Sequence, residues 1–226
     1  MPLIVEGGTA LAVRQGRLRP RTAPPRGIII HTTGAGPWSR YNANKTRFEA
    51  PYDAAKYIYE RISPYSGHYL VSGDNGSAAR LVDTNVRAWH VGAKGRWRYK
   101  FRGTGWSKDK GFGWWFTRFP GCNGPRDLLD GLLWSPRSAN DLTIGIEVAP
   151  PSSGPRDEWS DATWRTLRLL VGNLARRYGI PLDRYHVFTH SDAHPLARTT
   201  KSGSPWDPGP RQWTIGRAVQ ELKLHP

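Results

Sequence analysis

Two histidines, His31 and His190, each follow a short apolar run, Gly27-Ile28-Ile29-Ile30 and Val187-Phe188-Thr189. Runs of this kind read as strands buried on both faces. Each histidine is therefore expected at a strand exit, where a sheet aims rigid side chains at a common point beyond its edge. A third donor, Asp207, lies in Asp207-Pro208-Gly209-Pro210, whose prolines restrain the backbone and hold the carboxylate in place. Two imidazoles and one carboxylate, with a fourth position open to water, make a catalytic zinc arrangement. The single cysteine, Cys122, has no CxxC partner and no second thiol to pair with, so a metal must rely on histidine and carboxylate.

The elements that must position these donors follow from local pattern. Ala54, Ala55, Tyr57, Ile58 and Ile62 at near-helical spacing predict a helix over 51–62, with Asp53 placed to cap it and Ser63-Pro64 to stop it. His68-Tyr69-Leu70-Val71 and Ala79-Arg80-Leu81-Val82 read as two strands joined by the turn Gly73-Asp74-Asn75-Gly76. Thr143-Ile144-Gly145-Ile146-Glu147-Val148 reads as another buried strand. The strongest helical pattern runs over 160–178, with Trp164, Leu167, Val171, Leu174 and Tyr178 on one face, Gly179 as its cap and Pro181 beyond. A closing amphipathic helix is expected over 212–224, with Trp213, Val219 and Leu222 inward. Strands alternating with helices predict an α/β fold, a central mixed β-sheet flanked by helices.

Length and composition bound the rest. At 226 residues without internal repeats, 38% apolar and with 11 tryptophans, the chain is expected to fold as a single domain. Residues 1–26 are rich in Arg and Pro and read as a basic lead-in, with the domain proper over 27–226. Within it, 93–139 is crowded with Gly, Lys, Arg and Trp without a sustained period and reads as a long insertion. Thirty-three Lys and Arg against 18 Asp and Glu give +15, a field that attracts polyanions such as nucleic acid, acidic lipid or bacterial wall polymers. The N-terminal apolar stretch is too short for a signal peptide, and no run approaches the roughly 20 residues of a membrane span. The expectation is synthesis in the cytoplasm, with delivery by other means if the target lies outside the membrane.

Ile28-Ile29-Ile30-His31-Thr32-Thr33, His68-Tyr69-Leu70-Val71, Ala88-Trp89-His90-Val91-Gly92, Ile144-Gly145-Ile146-Glu147, and Thr189-His190-Ser191-Asp192 with Asp207-Pro208-Gly209-Pro210 occur in that order. Together they resemble the type 2 N-acetylmuramoyl-L-alanine amidases, a family that shares its fold with peptidoglycan recognition proteins and includes phage endolysins. The resemblance spans 27–210 outside the insertion. It implies a peptidoglycan recognition protein-like fold, Zn2+ bound by His31, His190 and Asp207, and Glu147 as the proton-handling group beside the attacking water. It also implies bacterial peptidoglycan as partner, cut between N-acetylmuramic acid and L-alanine. Some relatives carry a catalytic Tyr where this chain has Gly67, and the subgroup with a Glu at position 147 lacks that Tyr as well. Many relatives have a Lys two residues before the last ligand. Here that position is Pro205, so Lys201, or alternatively Arg198, is expected to steady the oxyanion from a longer loop.

Each site residue has a plainer reading beside the chemical one. Glu147 can be a buried salt-bridge partner. His68, Trp89 and His90 either line the substrate groove or pack beneath the insertion. His186 and His194 read as structural or rim residues, and Asp192 as the cap of the turn after His190. For the whole chain the leading expectation is a monomeric phage or prophage endolysin that acts on the cell wall after release. The alternatives are a cytoplasmic amidase recycling soluble muropeptides and a non-catalytic peptidoglycan-binding protein. A nucleic-acid binder ranks below these, because no helix-turn-helix, zinc-finger or RNP-like pattern accompanies the charge and no specific nucleic-acid partner is expected.

Overall fold

The two apolar runs lie side by side in the sheet. The strand β2 (Gly27–Thr32) pairs in parallel with β5 (Thr143–Val148) on one side and β6 (Val187–Thr189) on the other. Beyond β5 come β3 (Tyr69–Val71), parallel to it, and β4 (Ala78–Arg80), which returns antiparallel to β3 through the expected turn. The edge strand β1 (Val5–Gly7) pairs in parallel with β4, giving the order β1-β4-β3-β5-β2-β6. The structure, a computed structural model, describes residues 5–16, 18–91, 139–184, 186–193, 198 and 206–225.

Helices cover both faces of this sheet. On one face α5 (Asp161–Tyr178) packs Trp164, Leu167, Val171 and Leu174 against Ile28, Ile30, Ile144, Ile146 and Val148. Ser160 caps its N-terminus by accepting from Thr163 N, and Gly179 ends it in the left-handed conformation, φ 65°, that glycine adopts without strain. The closing helix α7 (Ile215–Leu222) is shorter than the expected 212–224, because Thr214 accepts from Arg217 N and sets its start. Trp213, ahead of that cap, still packs into the same core. On the other face α3 (Pro51–Arg61) places Tyr52 and Ala55 over Leu70 and Ala79, and the Asp53 carboxylate accepts from Ala50 N at its start. Strand alternation sorts the residues: Ile30 and Ile146 face α5, and their successors His31 and Glu147 point to the opposite side.

Regular structure begins before Gly27. Besides β1, the lead-in forms the short helix α1 (Leu11–Arg14), and Arg21 ties it to the sheet. The Arg21 guanidinium donates to the carbonyls of Thr84 at 2.7 Å, Asn140 at 3.1 Å, Asp141 at 2.6 Å and Thr143 at 2.6 Å. A further helix, α2 (Ala35–Ala43), follows β2; Gly36 and Pro37 in its first turn hide it from a propensity reading. The expected insertion at 93–139 lies outside the described residues except for Ala139, which opens the short helix α4 (Ala139–Leu142). Among the described residues no helix is long and apolar enough to cross a membrane.

Candidate active site

His31 stands one residue before the end of β2, paired in register with Glu147 on β5. Parallel neighbours in register project to the same face, so the strand pairing alone brings this imidazole and this carboxylate together. His190 opens the four-residue helix α6 (His190–Ala193) directly after β6, two strands away from β5 with β2 between. The turn there is held by Asp192, whose carboxylate accepts from Thr189 N at 3.0 Å, the capping role expected of it. Asp207 arrives from a loop clamped to this turn. Ser191 N donates to Asp207 O at 2.8 Å, and Asp207 N donates to Ser191 Oγ at 3.0 Å. Its carboxylate Oδ1 accepts from Thr32 N at 3.0 Å.

These three side chains converge. One ligand atom from each of His31, His190 and Asp207 lies within 4.8 Å of the others, and all three residues are buried. The His31 and His190 rings meet edge to face with centroids 4.6 Å apart. His190 Nδ1 is 2.9 Å from Asp207 Oδ2, and His31 Nδ1 is 3.9 Å from Asp207 Oδ1 and equally 3.9 Å from Glu147 Oε1. At 3.9 Å neither His31 contact is a hydrogen bond, yet tetrahedral zinc with bonds of about 2.0–2.1 Å sets its ligand atoms about 3.4 Å apart. The spacing therefore fits donors sharing one ion with modest adjustment.

Electrostatics agree with that fit. Burial, reinforced by the neighbouring His190, lowers the His31 pKa to about 3, so its ring is neutral and keeps a lone pair for a metal. Burial, with the Asp207 charge beside it, raises Glu147 to about 8, while the Tyr59 hydrogen bond and Arg198 pull the other way. Burial also raises Asp207 above the usual carboxylate range. Two desolvated carboxylates beside the neutral His31 imidazole are a donor set that gains from a divalent cation.

Tyr59 was not singled out in the sequence. It sits on α3, where an aromatic at a helical position reads as core, and its phenol is close enough to the Glu147 carboxylate for each to shift the other's titration. Gly67 also proves to be a site residue for a steric reason. A Cβ there would come within 2.9 Å of Glu147 Cγ and 3.1 Å of Gly145 O, so the space that a side chain at 67 would need is taken by Glu147.

His68 and His90, read as either lining the groove or packing beneath the insertion, are buried beside His31. His90 Nδ1 lies 2.9 Å from His31 Nε2, and the His68 ring packs edge-on against His90 with centroids 5.6 Å apart. His68 Nδ1 accepts from Gly145 N at 3.0 Å, and its Nε2 faces Val86 O at 3.0 Å. Of the three residues read as groove-lining, Trp89 alone reaches partial exposure, its ring 6.5 Å from that of the exposed Tyr65. Arg198 reaches the centre: its Nε is 3.1 Å from Asp207 Oδ2 and 3.2 Å from His190 Nδ1, with the guanidinium over the Trp206 ring. Lys201 and His194 lie outside the described residues. His186 is half-buried and paired with Asp183 at 2.7 Å, as a structural histidine.

Strand-end imidazoles and a carboxylate aimed at one point, with a second carboxylate of raised pKa beside them, make up the candidate site of this α/β fold. The chain belongs to the N-acetylmuramoyl-L-alanine amidase family, whose description matches residues 21–210. That membership supports peptidoglycan amidase activity. Among solved structures, a selenomethionine derivative of AmpD superposes with a TM-score of 0.51 at 18% identity, covering 98% of this chain and 99% of that one. The Staphylococcus aureus hydrolase AmiA, solved with its ligand, gives 0.51 at 13% identity, covering 98% and 83%. The amidase LysC from Clostridium intestinale gives 0.48 at 16%, covering 100% of both chains. At these identities the likeness concerns the fold, which the first two share. No curated protein matches the chain.

Proposed function

We propose that the chain hydrolyses the amide bond between N-acetylmuramic acid and L-alanine in peptidoglycan, with Zn2+ held by His31, His190 and Asp207 and with Glu147 moving the proton. The observation that carries this reading is the convergence of those three ligand atoms within 4.8 Å, with Glu147 Oε1 3.9 Å from His31 Nδ1.

An amide has a poor electrophile and a poor leaving group, so hydrolysis needs activated water, a polarised carbonyl and a proton delivered to nitrogen. Zinc bound at this cluster supplies the polarisation and the acidification of water. Glu147 takes the proton from the attacking water as the C–O bond forms and returns it to the alanine nitrogen as the C–N bond breaks. Its raised pKa suits both halves of that task, and Tyr59 orients the carboxylate from α3. Lys201 remains the proposed cation for the oxyanion. Arg198, its Nε 3.1 Å from Asp207 Oδ2, is the alternative.

The finer reading is a monomeric phage-type lytic enzyme with segment 93–139 as an insertion in its catalytic unit. Its support is the net charge of +15, which draws the protein to an anionic wall. Digestion of purified sacculi followed by mass spectrometry tests the activity. The expected products are free lactyl groups and new alanine amino termini, lost on chelation and lowered about 10²- to 10⁴-fold in kcat by Glu147→Gln. Release of reducing sugars alone contradicts it. Cleavage confined to soluble muropeptides, with sacculi untouched, reassigns the role to recycling.

A further inference from the structure

We propose that His90 is a positioning residue that holds His31 in the tautomer with a proton on Nε2 and a bare Nδ1 facing the ion site. The inference rests on the reading of His31 as a ligand and gives His90, read in the sequence only as groove-lining or packing, a defined part in the site.

The geometry assigns the proton by elimination. His31 offers Nδ1 to the cluster, 3.9 Å from both Asp207 and Glu147, and its Nε2 lies 2.9 Å from His90 Nδ1. For Nδ1 to ligate it must be bare, so Nε2 carries the hydrogen and His90 Nδ1 must accept it. The far nitrogen of His90, Nε2, then carries its own hydrogen and faces Thr143 O and Thr143 Oγ1, each at 3.4 Å. A metal-bound imidazole more commonly hands its second N–H to a carboxylate or a carbonyl. Here a neutral histidine stands in that place.

His90 is fixed from three directions. Asn140 clasps its backbone: Oδ1 accepts from His90 N at 3.2 Å and from Val91 N at 2.8 Å, and Nδ2 donates to Val91 O at 2.9 Å. The ring lies against the β5 backbone at Gly145, where a Cβ would come within 2.4 Å of His90 Cγ, so only glycine leaves room for it. From behind, Arg21 fastens the carbonyls of Asn140, Asp141 and Thr143, the same segment that clasps the ring. An arginine ahead of the first central strand thus supports the support of a ligand.

The test is zinc affinity of the full chain, read by competition with a chromophoric chelator. His90→Phe keeps a ring of similar size without the acceptor, and we expect it to weaken zinc binding about 10- to 100-fold. His90→Asn, whose Oδ1 falls near the former Nδ1, is expected to recover most of that loss, which a purely structural role would not produce. A folded His90→Phe that binds zinc as tightly as the parent overturns the proposal and leaves the ligand reading intact. A parent chain that binds no zinc overturns both. Should His90→Phe fail to fold, long-range nitrogen-proton NMR of the zinc-free parent decides: the Nε2–H tautomer at His31 sustains the proposal, and Nδ1–H overturns it.

Discussion

On the α5 side of the sheet, Ile28, Ile30, Ile144, Ile146 and Val148 meet Trp164, Leu167 and Val171 in an apolar layer. On the α3 side at the same strand ends, the intervening positions carry His31 and Glu147, met by Tyr59, His90 and Asp207. Adjacent residues of the same two strands therefore serve two regions held by different forces. The first is held by burial, worth about 1.5–3 kcal/mol for each fully buried aliphatic side chain. The second is held by directed hydrogen bonds and tolerates desolvated charge, which costs stability and sets up chemistry. The apolar layer offsets the cost of desolvating the polar one.

If the division is real, damage to one side should leave the other's property unchanged. Trp164, buried and stacked on Trp213 with centroids 5.7 Å apart, is the hub of the apolar side. Trp164→Ala is expected to lose about 3–5 kcal/mol in denaturant unfolding, while the fraction that stays folded keeps its zinc affinity. Gly67→Ala probes the other side. Its new Cβ pushes on Glu147 Cγ and on Gly145 O, a strain of about 1–3 kcal/mol. The expected result is a drop in kcat of about tenfold or more with zinc still bound, measured by sacculus digestion and metal titration.

The buried histidines also give the polar side a pH signature. Burial, then the Arg21 charge, lowers the His68 pKa from 6.5 to about 3, so the unfolded chain takes up this proton first. The stability His68 contributes is complete above about pH 6.5. It falls by up to about 1.4 kcal/mol per pH unit as pH drops toward 3, and unfolding of the zinc-free chain at stepped pH measures the slope. His68→Leu should flatten that slope by about one proton. The smallest effect lies at the cap of α5, where Ser160→Ala is expected to cost about 1 kcal/mol without changing activity or slope.

How much of this could be read from the letters differs between the same two regions. The central strands were legible because parallel strands buried on both faces are written as short β-branched runs, and the two histidines proposed as ligands come at the ends of those runs. The long helix was legible from its period and its Ser160 and Gly179 ends. The supporting polar groups were not. Tyr59 occupies a helical position where an aromatic reads as packing, Arg21 lies in an Arg- and Pro-rich stretch that reads as a basic lead-in, and His68 and His90 read equally as groove residues or as packing beneath the insertion. Their roles depend on partners about 50 to 120 positions away, and no local pattern records such pairings. β1 escaped notice because three residues carry too little alternation to declare a strand.

The central claim is a single zinc site built from His31, His190 and Asp207, and X-ray absorption at the zinc edge of the loaded chain tests it most directly. We predict one ion per chain with two imidazoles and carboxylate oxygen at about 2.0–2.1 Å, losing the oxygen ligand in Asp207→Ala. A sulfur ligand at about 2.3 Å, or a spectrum unchanged by that substitution, would contradict the account.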